Sequence, residues 1–234
     1  MIVHDVIQGS SEWLRLRAGV PTASRFDDIL TPGGAPSKSA QGYLYELLAE
    51  RMLGAPVTQV VSTWMDRGSQ TEAEAVAYYE LMSELDTVKV GFVTNDAGTV
   101  GASPDRLVGD DGLLEIKVPK EGNHVGYLLT GSVGDKYKPQ LMGQLWVTGR
   151  AWVDIMSYCP GLPHALIRVE RDEAYIAKLA AAVGAFSDAL EDASASARAR
   201  GWIRDVCQVH DADDAVAGRV CGRPLPCRDH GGQP

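Results

Sequence analysis

Ser103-Pro104-Asp105, followed after nine residues by Glu115-Ile116-Lys117, constrains this 234-residue chain more than any other stretch. Asp-Gly is a strong hairpin signal. The segment therefore predicts a strand leading away from Asp105, a reversal at Asp110-Asp111-Gly112 and a second strand from Leu113 to Val118. Side chains alternate along a strand, so Glu115 and Lys117 share one face while Leu114, Ile116 and Val118 point the other way into a core. Two carboxylates and an ammonium then converge beside the Ile116 carbonyl. Hard oxygen donors suit Mg²⁺ or Mn²⁺, and a neighbouring lysine can orient or activate water, the equipment of metal-assisted phosphodiester hydrolysis. The same residues on a plain surface hairpin would be scattered solvated charges, so the motif has to be weighed with its context.

Composition bounds that context. A chain of this length builds one large domain or two small ones. Its 45% hydrophobic and 23% charged residues are ordinary for a globular protein. No run of about 18 apolar residues is present, so no membrane span is expected. The amino terminus, Met1-Ile2-Val3-His4-Asp5, lacks the basic-then-apolar plan of a secretory signal. Four cysteines make no disulfide framework, and Cys159 reads as a reduced thiol in a buried strand; the expected compartment is the cytoplasm of a bacterial host cell. The net charge of −9 argues against a generally basic nucleic-acid binder. On charge alone a small-molecule enzyme or an interaction protein is favoured. A DNA enzyme of this composition must concentrate its basic groups in a groove or pore.

Along the chain, residues 11–30 read as a short helix, a turn at Gly19-Val20-Pro21 and a second helix that Thr22 or Ser24 can cap. A Pro/Gly/Ser-rich loop covers 31–39. Leu44, Leu47, Leu48 and Met52 form a helical stripe closed by Gly54 and Pro56. A further helix is expected over 66–85, strands over 87–94 and 97–102, and a flexible glycine-bearing stretch over 119–135. Pro139 suits the first turn of a helix carrying Gln140, Leu141, Gln144, Leu145 and Trp146. Strands are expected at 151–158 and 165–170, then a long amphipathic helix marked by Tyr175, Ile176, Leu179, Val183, Phe186 and Leu190. The order predicts a single α/β (α+β) domain over 1–200 and a polar, mobile tail over 201–234.

The hairpin resembles the PD-(D/E)xK nuclease signature. Four blocks in order, over roughly residues 10 to 190, resemble the phage lambda exonuclease and YqaJ-type viral recombinase family. They are Trp13 to Ser24, Gly68-Ser69-Gln70-Thr71-Glu72, the Ser103 to Lys117 hairpin, and Tyr137-Lys138-Pro139-Gln140 running on to Trp146-Val147-Thr148. The resemblance implies a restriction-endonuclease-like core, a central mixed β-sheet flanked by helices. It implies a Mg²⁺-dependent (or Mn²⁺-dependent) 5′-to-3′ exonuclease on double-stranded DNA ends, with two ions per site, mononucleotide products and a 3′ single strand left behind. A homotrimeric ring and a phage single-strand annealing protein as partner are implied with it. A ring would also reconcile the acidic total with DNA, because its channel can hold the basic groups.

Carried over residue by residue, Asp105 and Glu115 resemble the metal-binding carboxylates, joined by the Ile116 carbonyl and, through water, by Glu72. Lys117 resembles the catalytic lysine and Gln140 a glutamine that contacts the reacting centre. Arg17, Ser24 and Ser103 resemble the pocket for the 5′ phosphate, a role suited to a guanidinium fork backed by hydroxyls and by a helix N-terminus. Taken without the family, each residue has a plainer reading. Glu72 is an exposed helix acid, Lys117 an edge charge, Gln140 a surface amide, Arg17 a surface arginine, Ser24 a helix cap and Ser103 a turn residue. Asp96 falls where the lambda enzyme has another acid, and its role stays open, as do those of Lys120, His124 and Lys136. In the tail, Cys207, His210, Cys221, Cys227 and His230 supply ligand types for tetrahedral Zn²⁺ at a spacing that fits no standard finger. Rival readings are a PD-(D/E)xK endonuclease, an iron–sulfur exonuclease, whose cysteine arrangement this chain lacks, and a silent DNA-binding or assembly protein on the same scaffold.

Overall fold

The computed structural model describes residues 1–57 and 63–203, the stretch 63–70 as backbone only. The proposed Zn²⁺ ligands of the tail therefore lie outside the described residues. The element order is β1 (Ile2–His4), α1 (Ser11–Arg17), a 3₁₀ turn (Ala23–Asp28), α2 (Ala40–Leu53), α3 (Thr63–Ser83), β2 (Thr87–Lys89), β3 (Phe92–Thr94) and β4 (Gly101–Ala102). It continues with β5 (Arg106–Val108), β6 (Gly112–Lys117), α4 (Glu121–Thr130), a 3₁₀ turn (Asp135–Tyr137), α5 (Lys138–Thr148), β7 (Trp152–Ser157), β8 (Ala165–Glu170) and α6 (Glu173–Ala199). Among the described residues no helix is long and apolar enough to cross a membrane.

A five-stranded mixed sheet runs β2-β5-β6-β7-β8, in which only β6 and β7 are parallel; β1-β3-β4 form a small antiparallel sheet. A parallel pair needs a crossover, here α4 and α5, and its strands are buried on both faces. β6 obeys this: Gly112 to Ile116 are all buried. Leu113, Val153 and Ile155 join the large core with α2, α5 and α6, whereas Leu114, Ile116 and Met156 pack on Ala75, Val76 and Tyr79 of α3. Strand alternation thus assigns Glu115 and Lys117 to the α5 side of the sheet. Val118 lies beyond the strand and is half exposed rather than in a core.

Several expectations shift. The hairpin reversal is Gly109-Asp110-Asp111, because Gly109 takes the left-handed φ of +47° and Gly112 already pairs with Val108. Gly112 serves a different need: a Cβ there would collide with the Trp152 ring. The strand expected over 87–94 is two strands in two sheets, β2 on β5 and β3 between β1 and β4. They separate at Gly91, where a Cβ would strike the Val6 carbonyl. The second helix of 11–30 is a 3₁₀ turn, and neither proposed cap operates; Thr22 holds the N-cap position without a side-chain bond. Cys159 is a buried free thiol just past β7 rather than within a strand.

The largest correction concerns 119–135, which is α4 and a 3₁₀ turn rather than a flexible stretch. Gly122 and Gly126 weaken helix propensity, but His124 is fully buried, its ring nitrogens bonding Ser157 Oγ at 2.7 Å and the Pro163 carbonyl at 2.8 Å. Tertiary anchoring outweighs local preference there. Elsewhere the local signals act as read: Pro139 opens α5, Gly54 closes α2 at φ +65°, and the Asp172 side chain caps α6 by accepting from the Tyr175 amide.

Candidate active site

Each acid of the hairpin is held by NH donors that the fold delivers. Asp105 precedes β5 and accepts the Ile116 amide at 2.6 Å through Oδ2. Glu115, 4% exposed, spans two donor sets. Its Oε1 accepts Lys117 Nζ and Gln140 Nε2, both at 2.6 Å, and its Oε2 accepts Gln144 Nε2 at 2.7 Å. Lys117 also donates to Gln140 Oε1 at 3.2 Å, and its ammonium lies 5.0 Å from the Tyr137 ring. Gln140 and Gln144 meet one carboxylate because residues four apart share a helix face, and α5 lies over the face of β6 that bears Glu115.

Electrostatics follow from this packing. Burial and the Glu115 charge, with a contribution from Glu72, push the Asp105 carboxyl well above its usual range despite the Ile116 amide. Lys117 is raised: burial works against its charge, but Glu115 and Asp105 overcome that. Surplus negative charge crowded among partly desolvated oxygens is what a hard divalent cation relieves. The Asp105 and Glu115 side chains and the Ile116 carbonyl are chemically fit to hold one.

Glu72 stands apart from this group. It sits on α3 with Oε1 3.0 Å from Arg106 NH1, and Arg106 also donates to the Asp105 carbonyl at 2.6 Å. Among the described residues no three His, Cys, Asp or Glu side chains converge at metal-ligand distances. The fold brings Asp105, Glu115, Lys117 and Gln140 together; Glu72 is nearby but engaged.

Two residues before Asp105, Ser103 begins a second cluster. Its hydroxyl accepts Arg17 NH1 at 3.1 Å and Trp13 Nε1 at 3.0 Å. Arg17 NH2 reaches the Thr22 and Ser24 hydroxyls at 3.3 and 3.4 Å, and the guanidinium lies 4.2 Å from the centre of the Trp13 ring. No carboxylate forms an ion pair with Arg17 among the described residues. Burial lowers its pKa to about 10, with Tyr43 and Glu50 opposing. The cluster opens into a cleft of about 250 Å³ between α1 and α2, lined also by Tyr43, Glu46 and Glu50. Glu50 is buried and shapes the cleft by accepting the Gly19 and Val57 amides.

Residues 12–151 match the YqaJ-like viral recombinase domain, which is more than half of the chain. The chain belongs to the YqaJ-like viral recombinase family. It is similar to the alkaline exonuclease LHK-Exo from Laribacter hongkongensis at 34% identity and a TM-score of 0.73, covering 82% of this chain and 98% of that one. The structure of LHK-Exo in complex with dAMP matches over the same shares at 35% identity, also with a TM-score of 0.73. A phage-related exonuclease from Haemophilus somnus 129PT, at 13% identity and a TM-score of 0.61, covers 76% of this chain and 96% of that one and shares the fold. No curated protein matches. The fold is that of PD-(D/E)xK-type exonucleases, and membership of the YqaJ-like family supports a DNA exonuclease. Nucleases of this family generally use divalent metal ions.

The sequence alone assigns no role to Gln144, Arg106 or Tyr137. The Gln140/Gln144 spacing of four is a usable signal, since both side chains must face the same way. Nothing local pairs Arg106 with Glu72 across 34 residues. Two residues whose roles the sequence left open make contacts of their own. His124 is consumed by buried structural bonds, and Asp96, 89% exposed, pairs with the amino terminus at 2.8 Å. Lys120 and Lys136 are exposed on either side of α4.

Proposed function

We propose that this chain is a Mg²⁺-dependent (or Mn²⁺-dependent) exonuclease. It degrades one strand of double-stranded DNA from its 5′ end, releases mononucleotides and leaves a 3′ single strand for phage or prophage recombination. The observation that carries this reading is that Lys117 and Gln140 close on the Glu115 carboxylate while Asp105 is tied to the amide of the intervening Ile116. Asp105, Glu115 and the Ile116 carbonyl would hold the metal, with Glu72 as the acid of a second ion. When bound, two such ions would polarise the scissile phosphate and supply hydroxide at neutral pH.

The chain's own residues do the rest. Glu115, fixed through both oxygens, keeps its carboxylate in one orientation. Lys117 orients the attacking water and stabilises charge that develops on the phosphoryl oxygens. Gln140 ties the lysine to Glu115 and faces the reacting centre. Arg17, Ser24 and Ser103 receive the 5′-terminal phosphate, whose charge the unpaired guanidinium complements. Because Ser103 and Asp105 are joined by one proline, holding the end sets the position of the first phosphodiester.

In this reading residues 1–200 form the exonuclease domain and 201–234 a separate tail. Three copies close into a ring that threads duplex DNA, a phage single-strand annealing protein takes the 3′ strand, and the work is cytoplasmic. The test is purified protein with Mg²⁺ on duplexes labelled at either end, with and without a 5′ phosphate. Expected are mononucleotides from the 5′ strand, faster with the phosphate, and no cutting of covalently closed circles. Cleavage of circles would replace the exonuclease with an endonuclease. Binding without cleavage would leave a silent DNA-binding protein. Light scattering reports the ring, expected as a trimer.

A further inference from the structure

We infer that Arg106 occupies the place of a second cation: by holding Glu72 it makes the DNA-free protein a one-ion centre. The inference rests on the metal-dependent nuclease reading and refines its ion count.

Arg106 directly follows Asp105 and pairs in register with Leu114 of β6. Cross-strand partners share a face, and Leu114 packs in the cluster that contains Ala75 and Val76 of α3. The Arg106 side chain therefore leaves the sheet toward α3, the helix that carries Glu72, whereas Glu115, Lys117, Gln140 and Gln144 gather on the α5 side. Its guanidinium is pinned twice, by Glu72 Oε1 at 3.0 Å and by the Asp105 carbonyl at 2.6 Å. Only 12% of the Arg106 side chain is exposed, against 32% for Glu72. A guanidinium that has given up most of its water is costly to leave without its counterion. An ion seeking Glu72 must displace a cation that is already in place.

Charge balance points the same way. Three carboxylates, Glu72, Asp105 and Glu115, face two fixed cations, Arg106 and Lys117. One divalent ion turns this single negative excess into a single positive one, which one phosphodiester neutralises. Without DNA, a second ion would have to bind against that positive excess.

The test is calorimetric titration of Mn²⁺ into the full-length, DNA-free protein. Wild type should take up one ion per chain, and the Glu72→Gln isotherm should superimpose on it. Arg106→Gln should expose a second Mn²⁺ site, tightened by at least about tenfold, the scale of removing one like charge at partly screened contact distance. Adding Glu72→Gln to Arg106→Gln should abolish that gain. Two ions in wild type, one of them lost in Glu72→Gln, would overturn the inference while leaving the metal-dependent nuclease intact. An Arg106→Gln protein with native circular dichroism and an unchanged isotherm would overturn it too. Should Arg106→Gln fail to fold, the wild-type and Glu72→Gln pair alone decides. No Mn²⁺ uptake by wild type would overturn both readings.

Discussion

Ser103 and Asp105 are two residues apart, yet the groups gathered around them carry opposite charge. Around Asp105 and Glu115, acids outnumber the cations that touch them, and the Ile116, Lys117, Gln140 and Gln144 donors all reach carboxylate oxygens. Around Ser103, a guanidinium bonds hydroxyls, lies against the Trp13 and Phe92 rings and forms no ion pair among the described residues. In the proposed reading one end of this three-residue run attracts a cation and the other an anion. Among the described residues Lys117 offsets only one of the two acids and no ion pair offsets Arg17, whereas a scaffold selected for stability alone would have balanced both. On that reading the residual charge of each cluster is the complement of its ligand.

The comparison breaks most readily at the acidic end. Asp105→Asn or Glu115→Gln should lower cleavage at least about a thousandfold while the fold persists, since each removes a formal charge from a metal ligand. Full activity in a folded Asp105→Asn protein, measured on 5′-labelled duplex, would remove this hairpin from the chemistry. Lys117→Ala should lose roughly a hundred- to a thousandfold, the scale of losing one stabiliser of transition-state charge. Mn²⁺ titration should show binding largely kept, which separates orienting water from holding metal.

At the basic end the effect should be smaller and conditional. Arg17→Ala removes a charge-assisted contact of about 1.5–3 kcal/mol, so roughly ten- to a hundredfold in rate, on duplexes with a 5′ phosphate only. Equal losses on 5′-hydroxyl ends would make Arg17 structural. Gln144→Leu sharpens the acidic side further. One Glu115 oxygen loses a charge-assisted bond worth about 1.5–3 kcal/mol, chiefly to stability, so only a several-fold fall in activity is expected with Mn²⁺ stoichiometry unchanged. Smallest of all is a pH effect. Burial lowers the Arg17 guanidinium only to about 10. Arg17 keeps its charge below that value and loses it only as pH rises through it. The ratio of rates on 5′-phosphate and 5′-hydroxyl ends should stay flat from about pH 7 to 9. A ratio that collapsed over that range would assign the preference to another group.

Much of the acidic site is legible in the sequence because it is local: Asp105, Glu115 and Lys117 lie on one hairpin, where alternation fixes their faces. Gln140 is reached through the four-block resemblance, and Gln144, four residues on, is within reach of the same logic, because helix spacing forces the pair together. The α4 segment is not legible, since glycine content speaks for propensity, while His124 anchors the helix to Ser157 and Pro163, some 33 and 39 residues away. The split of 87–94 into two sheets is hidden for the same reason, since strand partners are chosen at long range.

Legible from the sequence, then, are the shared face of the charged hairpin residues, the helices that Pro139, Gly54 and the amphipathic stripe of α6 announce, and the family to which the blocks belong. These depend on neighbours within a few residues, where side-chain alternation, caps and helical period leave little choice. Long-range packing alone decided that Arg106 holds Glu72, that Arg17 bonds three hydroxyls and forms no ion pair among the described residues, and that two glutamines fix Glu115 from above. Each of those outcomes depends on which face of the sheet a distant helix covers. That is settled by how the two hydrophobic cores on either side of β6 close, and not by any residue read alone.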